Sequence, residues 1–362
     1  MTIQNTYIPD SVSHPGATLL DALEERGMTQ AELAHRTGRP LKVINEIVKG
    51  KSAITIETAI QLEQALGISA QFWTARESQY REFLARKDAA ERFIGYRSWA
   101  NLFPIREMIR LEWIPRASGE AEQVGVLLKF FGVVSPDQLE AIWTTKQPAF
   151  RKSNAFSADK AALVAWLRKG ELDAQQIITE PYDAKAFARG LDEARALTTE
   201  PLPDIFVPKL IDSCRKAGVA IVFVRSLPKT RASGATHWAS PKKAIIQLSL
   251  RYRTNDHLWF TFFHEAAHIL RHKKDMVIED PNFDGNKEDE SDADAFSANF
   301  MIPAYAWKMF VAKNVFRKDT VLAFAREQTI APGIVVGRLQ HEQHIPMHYF
   351  NDLKVRYTWN EN

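Results

Sequence analysis

The segment FTFFHEAAHILRH, residues 260–272, constrains the fold of this chain more than any other stretch. Its apolar density predicts a buried helix, and within it His264 and His268 are four residues apart. On a helix this spacing places both imidazoles on one face, close enough to bind one zinc ion, with Glu265 beside the open coordination position. The alternative is a pair of hydrogen-bonded core histidines. A zinc site needs a third protein ligand, so the choice depends on a suitable partner elsewhere in the sequence.

An acidic segment downstream, NKEDESDADAFSANFMIP, supplies two carboxylates with helical spacing. Glu290 and Asp294 are four residues apart, and an apolar stripe with the period of a helix places both on one element. The stripe consists of Ala293, Phe296 and Phe300. One carboxylate would complete the zinc coordination, and the other would accept a hydrogen bond from a ligand histidine and fix its orientation.

The order HExxH followed by E-x-x-A-(N/D)-x-F-(A/S) and an apolar run ending in proline resembles the ImmA/IrrE family of zinc metallopeptidases. Here the second motif runs over residues 290–303, and the resemblance extends over about 200–350. It implies a zincin-like α+β fold in which Glu290, and not Asp292, is the third ligand and Asp294 supports a ligand histidine. It also implies that the substrate is a protein, a transcriptional repressor.

The same residues predict a mechanism of peptide hydrolysis. Zinc bound by His264, His268 and Glu290 keeps a fourth position for water and lowers the pKa of that water. Glu265 would act as the general base and then return the proton to the leaving amine. The second donor to the oxyanion stays open among four residues, which are His237, Tyr305, His341 and His344. A short edge strand in SGATHWAS, residues 233–240, would let substrate add to the sheet as an extended strand.

The first 86 residues contain consecutive short amphipathic helices with clear boundaries. Thr29 and Thr55 are predicted N-caps, Gly27 is a predicted left-handed cap, and further helices are predicted to end at Gly38 and Gly67. Compact helices joined by such short turns are typical of a helix-turn-helix domain. From HPG at residues 14–16 to ALGISAQFW at residues 65–73, the sequence resembles HigA-type antitoxins.

That resemblance implies DNA binding by a helix that begins at Pro40 and enters the major groove. The DNA-binding residues predicted on this surface are Gln30, Arg39, Lys42, Asn45 and Lys49. Residues 1–86 contain nine Lys/Arg and ten Asp/Glu, a net charge of −1, so phosphate attraction must come from a local patch around Arg39, Lys42, Lys49 and Lys51. The alternative is a helix-turn-helix that serves only for protein docking or dimerisation. A homodimer is expected if the operator is a palindrome.

We therefore predict an α+β multidomain protein. The domains are an all-α helix-turn-helix domain over 1–86, a helical connector over 87–200 and a zincin-like peptidase domain over 201–362. Strands are predicted in VAIVFVRS and AIIQLSL because β-branched residues dominate both segments. The segment FAREQTIAPGIVVGRLQ also has helix-turn-helix spacing, but its few cations favour packing against the peptidase core.

The composition and the absence of a targeting segment predict a cytoplasmic protein that does not bind a membrane. It has a single cysteine, Cys214, predicted to be buried, and a net charge of only +3. No segment resembles a signal peptide, and no window approaches eighteen continuous apolar residues.

The combined prediction is a zinc-dependent endopeptidase and transcriptional regulator that cleaves a protein partner and binds operator DNA. The alternative is an antitoxin-like DNA-binding autorepressor, as in toxin–antitoxin systems, whose metal site is structural or inactive. Glu265 separates the two hypotheses because a purely structural zinc site does not need a carboxylate beside the open position.

Overall fold

The computed structural model describes residues 11–146, 157–272, 277–279 and 287–359, and the chain forms two compact units. The first comprises Met1–Gly95 with Glu120–Glu122, and the second comprises Tyr96–Gly119 with Gln123–Asn362. The domain boundaries at residues 86 and 200 remain a prediction. The helices are α1 Pro15–Glu25, α2 Gln30–Thr37, α3 Leu41–Val48, α4 Ile56–Leu66, α5 Ala70–Ile94, α6 Arg97–Ala100, α7 Ile105–Arg110, α8 Glu120–Phe131, α9 Pro136–Lys146, α10 Ala158–Gln175, α11 Ala184–Leu197, α12 Pro203–Lys216, α13 Asn255–Arg271, α14 Lys287–Met301, α15 Ala304–Ala312, α16 Lys318–Glu327 and α17 Pro332–His341. The strands are β1 Val219–Phe223, β2 Gly234–Ser240, β3 Lys243–Leu248 and β4 Val277–Glu279, and a short 3-10 helix spans Asn351–Leu353.

In the first unit, local capping sets the boundaries of the helices. The hydroxyl of Thr29 accepts a hydrogen bond from the N–H of Glu32, and Thr55 caps α4 in the same way through Thr58. The predicted helix ends at Gly38 and Gly67 are confirmed, and both glycines are left-handed C-caps with φ 66° and φ 70°. Gly27 is left-handed as predicted, with φ 56°. The helices enclose a small core whose fully buried members include Leu19, Leu33, Ile44, Leu62 and Trp73.

In the second unit, a four-stranded mixed sheet carries helices on both faces. The strand order is β1-β3-β2-β4, in which β1 and β3 are parallel and the other two pairs are antiparallel. Thr236 of β2 pairs with Ile246 of β3 on one side and with Val277 of β4 on the other. The strands predicted in VAIVFVRS and AIIQLSL are confirmed as β1 and β3.

The two faces of the sheet are covered by different helices. Thr236 contacts α13, because its hydroxyl bonds Glu265. Side chains alternate between faces along a strand, so the neighbouring position Ala235 and its partner Gln247 face the other way. There the amide of Gln247 donates to the carbonyl of Trp166 at 2.7 Å, which fixes α10 on that face. Helix α10 therefore forms part of the packing around the sheet.

Helix α13 is the centre of the main hydrophobic core. Trp259, Phe262 and Phe263 of α13 are fully buried and pack with residues of α12, α16 and α17. Phe324 and Val335 belong to this same core, which confirms that the C-terminal helix pair packs against it. The apolar character of residues 255–271 is therefore explained by contacts on almost every side of the helix.

The structure also shows the surroundings of Cys214 and of the predicted edge strand. Cys214 is fully buried, as predicted, and burial raises the pKa of its thiol. The prediction that residues 233–240 form an edge strand is wrong for Gly234–Thr236, since these residues pair with β3 on one side and β4 on the other. Strand β4 has only three residues, too few for its sequence to indicate a strand.

Among the described residues, every helix is too short or too polar to span a membrane.

Candidate active site

His264 and His268 lie on one face of α13 and point at each other. Their Nε2 atoms are 3.0 Å apart, and both residues are 2% exposed. Burial, followed by the charge of the neighbouring His264, lowers the pKa of His268 to about 4. The ring of His268 is therefore neutral at pH 7, which is the form that binds a metal ion.

Helix α14 brings a carboxylate to the two histidines. Glu290 Oε2 lies 3.1 Å from His264 Nε2, and Glu290 Oε1 lies 3.8 Å from His268 Nε2. The packing of α14 on α13 sets this position, and the hydroxyl of Ser297 donates to the carbonyl of Phe260 at 2.9 Å to fix the register. The structure thus brings together the three predicted ligands.

These three residues fit a tetrahedral metal ion. Their candidate ligand atoms all lie within 4.8 Å of one another. Four-coordinate zinc has metal–ligand distances of about 2.0–2.2 Å to nitrogen and oxygen, which separates neighbouring ligand atoms by roughly 3.3 Å. The observed separations of 3.0, 3.1 and 3.8 Å bracket that value. Two imidazoles and one carboxylate are also a donor set that zinc accepts.

Asp294 holds the first histidine from the opposite side. Its Oδ1 lies 2.9 Å from His264 Nδ1, although 57% of the Asp294 side chain is exposed. A proton on His264 Nδ1 donates to this carboxylate and leaves the lone pair of Nε2 directed toward Glu290 and His268. Asp294 therefore lies within hydrogen-bonding distance of His264, and its role in orienting that ring stays a prediction.

Glu265 is fully buried and is held by strand β2. The hydroxyl of Thr236 lies 2.5 Å from Glu265 Oε2 and 3.1 Å from its backbone oxygen. Gly234 provides the space, because a Cβ at this position would lie 2.5 Å from Glu265 Oε1 and 2.7 Å from Thr261 Cγ2. The Glu265 carboxylate therefore has a fixed position between α13 and β2.

Sequence reasoning missed Thr236, Gly234 and His272 as parts of this site. Thr236 and Gly234 are about thirty residues from Glu265, and only the sheet places them beside it. His272 had a signal, since it repeats the four-residue spacing of His264 and His268. Its Nδ1 lies 2.8 Å from His268 Nδ1.

The four residues considered for the oxyanion have different surroundings. His237 is on the strand face that carries Ala235, so its ring lies across the sheet from Glu265. Tyr305 is 78% exposed. The ring of His344 packs against Trp307 and Phe316, and His341 is the last residue of α17.

The predicted DNA-binding residues lie on or beside α2 and α3. Lys42 and Lys49 are exposed, and 85% of the Lys42 side chain is accessible. Gln30 and Asn45 are half-buried. Arg39 hydrogen bonds Gln61 and lies 3.4 Å from Glu57, so this guanidinium is engaged with α4.

Two models of known protein families match separate parts of the chain. The family model of helix-turn-helix domains matches residues 19–73. The M78 peptidase model, described as the IrrE N-terminal-like domain, matches residues 214–314 and includes His264, Glu265, His268 and Glu290. The chain joins a helix-turn-helix domain to an IrrE-like peptidase-family domain. The pairing and the α+β multidomain class predicted from the sequence are therefore confirmed.

Solved structures of antitoxin and operator-binding proteins are similar to 21–23% of this chain. An addiction module antidote protein of the HigA family from Coxiella burnetii is 26% identical, with a TM-score of 0.22, and the match covers 23% of this chain and 91% of that one. The antitoxin HigA of Pseudomonas aeruginosa, solved with the higBA promoter, is 30% identical over 23% of this chain and 90% of its own, with a TM-score of 0.22. Another Pseudomonas aeruginosa protein, solved in complex with its operator DNA, is 33% identical with a TM-score of 0.20. The match covers 21% of this chain and 82% of that one. No curated protein matches the chain.

Proposed function

We propose that this chain is a zinc-dependent endopeptidase that cleaves a protein partner in the cytoplasm. The observation that carries the proposal is Glu265, a fully buried carboxylate that directly follows the proposed ligand His264 on α13 and is hydrogen bonded by Thr236. A structural zinc site does not need such a group. A site for hydrolysis needs a base within reach of the attacking water.

His264, His268 and Glu290 would hold the zinc ion in this scheme. When bound, zinc supplies Lewis acidity that polarises the peptide carbonyl and lowers the pKa of water. Glu265 accepts the proton of the attacking water and delivers it to the leaving amine. Thr236 keeps Glu265 Oε2 in place, and Asp294 keeps the lone pair of His264 Nε2 directed toward His268 and Glu290.

The substrate class that fits best is a transcriptional repressor. Support comes from the IrrE-like match over residues 214–314 and from the helix-turn-helix domain on the same chain. The resemblance of the sequence over about 200–350 to peptidases that act on repressors supports the same substrate class. A chain that combines the two domains can act where transcription is controlled. General degradation is disfavoured because a dedicated DNA-binding domain has no role in it.

Identification of new N-termini in the host tests this function. Cells that produce the wild-type chain are compared with cells that produce Glu265→Gln, which keeps the size of the side chain and removes the base. We expect a protein whose new N-terminus occurs only with the wild-type chain. Identical sets of N-termini in both cultures would contradict the proposal and favour the antitoxin-like autorepressor.

A second function, operator binding, is favoured by two exposed lysines, Lys42 in α3 and Lys49 at its C-cap. Lys42 and Lys49 are positioned to reach phosphate or bases if α3 enters the major groove, with Asn45 between them and Gln30 at the start of α2. Arg39 would contribute by fixing α4 and by its charge. We propose a homodimer on a palindromic site, since half-site symmetry matches a two-fold axis in the protein.

A further inference from the structure

His272 extends the line of histidines by one more helical turn. Helix α13 ends at Arg271, and His272 follows in an extended conformation with its backbone N–H still bonded to the carbonyl of His268. Its side chain is only 9% exposed. The ring therefore lies against His268, on the side away from His264.

The two short contacts of His268 assign its proton. Nε2 faces His264 Nε2 at 3.0 Å and Glu290 Oε1 at 3.8 Å, whereas Nδ1 lies 2.8 Å from Nδ1 of His272. A ring nitrogen that binds a metal must present its lone pair, so the proton of a zinc-bound His268 is on Nδ1. His268 then donates to His272, and Nδ1 of His272 is the acceptor.

This assignment places the proton of a neutral His272 on Nε2. That atom lies 3.3 Å from Asp292 Oδ2 and 3.8 Å from Asp289 Oδ1, both on α14. Asp292 is held in turn by Arg271, whose Nη1 donates to Asp292 Oδ1 at 2.8 Å. The hydrogen bonds therefore run in one direction, from His268 through His272 to a carboxylate fixed by a guanidinium.

We propose that His272 is a positioning residue that orients His268 for metal binding and couples it to Asp292. The inference rests on the proposed zinc site. It gives each ligand histidine its own support, since Asp294 contacts His264 directly and Asp292 acts on His268 through His272. Because Asp292 is two residues after Glu290, the same chain of bonds fixes the part of α14 that carries the third ligand.

Zinc affinity of the full-length protein tests this role. The dissociation constant is measured by competition with a chromophoric chelator for the wild type, His272→Ala and His272→Asn. Loss of a hydrogen-bond partner of a ligand histidine weakens metal binding by about 10–100-fold, and we expect this for His272→Ala. Asn places an amide oxygen near the position of Nδ1, so His272→Asn should restore most of the affinity.

His257→Ala is the matched control, because His257 is an exposed histidine of the same helix that stacks on Tyr252. It should bind zinc like the wild type. Thermal unfolding of each variant in EDTA shows whether the metal-free fold is intact. Equal zinc affinity for His272→Ala and His257→Ala would overturn the inference.

The tautomers of the two rings provide a second, independent measurement. In the zinc-loaded protein, long-range ¹H–¹⁵N spectra should show a proton on Nδ1 of His268 and on Nε2 of His272. A proton on Nδ1 of His272 would overturn the inference even where the affinities agree. A wild type that binds no zinc would instead contradict the proposed function, so the two failures are distinguishable.

Discussion

Thr236 Oγ1 lies 2.5 Å from Glu265 Oε2, and this bond joins strand β2 of the sheet to helix α13, which carries His264 and His268. Thr236→Val removes the hydroxyl at nearly constant volume and leaves a buried carboxylate without this donor. Hydrogen bonds to charged groups contribute about 1.5–3 kcal/mol. We expect kcat/KM for a cleaved substrate to fall roughly 10–100-fold, with zinc content unchanged.

Thr236→Ser is the matched variant, since it keeps the hydroxyl and should retain most of the activity. Wild-type kcat/KM in Thr236→Val would show that this contact does not position the base.

Gly234→Ala should displace Glu265 without removing the metal ligands. The added Cβ would lie 2.5 Å from Glu265 Oε1 and 2.7 Å from Thr261 Cγ2, and both contacts force a shift. We expect loss of most activity, with zinc content retained, and overpacking that lowers the free energy of unfolding by about 1–3 kcal/mol. Gly119→Ala is the control, because a Cβ there meets no atom within 4 Å. Equal activity of the two variants would exclude a role for the close approach at Gly234.

Asp294 should set the affinity of the metal site. Asp294→Ala removes the acceptor of the His264 Nδ1 proton, and zinc affinity should fall about 10–100-fold. Asp294→Asn retains an acceptor oxygen and should lose less. Chelator competition measures both, and equal affinities for wild type and Asp294→Ala would contradict this role.

The metal-free protein should become less stable as the pH falls from about 6.5 to about 4. The pKa of His268 is lowered to about 4 by burial and by His264, whereas in the unfolded chain it is about 6.5. The unfolded state therefore binds the proton first, and stability is complete above about 6.5 and decreases on acidification by up to about 3 kcal/mol. Urea unfolding at several pH values checks this slope. His268→Asn should lack this part of the slope, and an unchanged slope in that variant would assign it to other groups.

Lys42 and Lys49 should carry part of the salt dependence of DNA binding. If each contacts one phosphate, replacement by Ala reduces the slope of log K against log salt concentration by roughly one unit. Duplexes selected by the wild-type chain from a random pool provide the ligand, and fluorescence anisotropy gives the affinities. Arg81→Ala is the control, since Arg81 pairs with Glu77 on α5. An unchanged slope in both lysine variants would favour the docking role of the domain.

The sequence was sufficient to predict features that depend on interactions between residues close together in the chain. The caps at Thr29, Gly38, Thr55 and Gly67 depend on interactions within a few residues, and the helical spacing of the histidines appears directly in HExxH. The resemblance supplied Glu290, and the packing of α14 on α13 brings it to the histidines.

Contacts between residues far apart in the sequence could not be predicted from local sequence features. Thr236 reaches Glu265 only because β2 lies beneath α13, and nothing in GATHWAS marks one threonine as a partner of a carboxylate. The edge-strand prediction failed because β4 is three residues long, and its pairing depends on the sheet and not on its own sequence. The role of α10 depends on one buried contact, between Gln247 and Trp166.

Elemental analysis of the purified full-length chain tests the central claim most directly. Wild type, Glu265→Gln and Glu290→Ala are prepared with zinc at neutral pH, and excess metal is removed by gel filtration. We predict one zinc per chain in the wild type and in Glu265→Gln, and little or none in Glu290→Ala, because Glu290 is a proposed ligand and Glu265 is the proposed base. Absence of stoichiometric zinc from the wild type, or full zinc content in Glu290→Ala, would contradict the account.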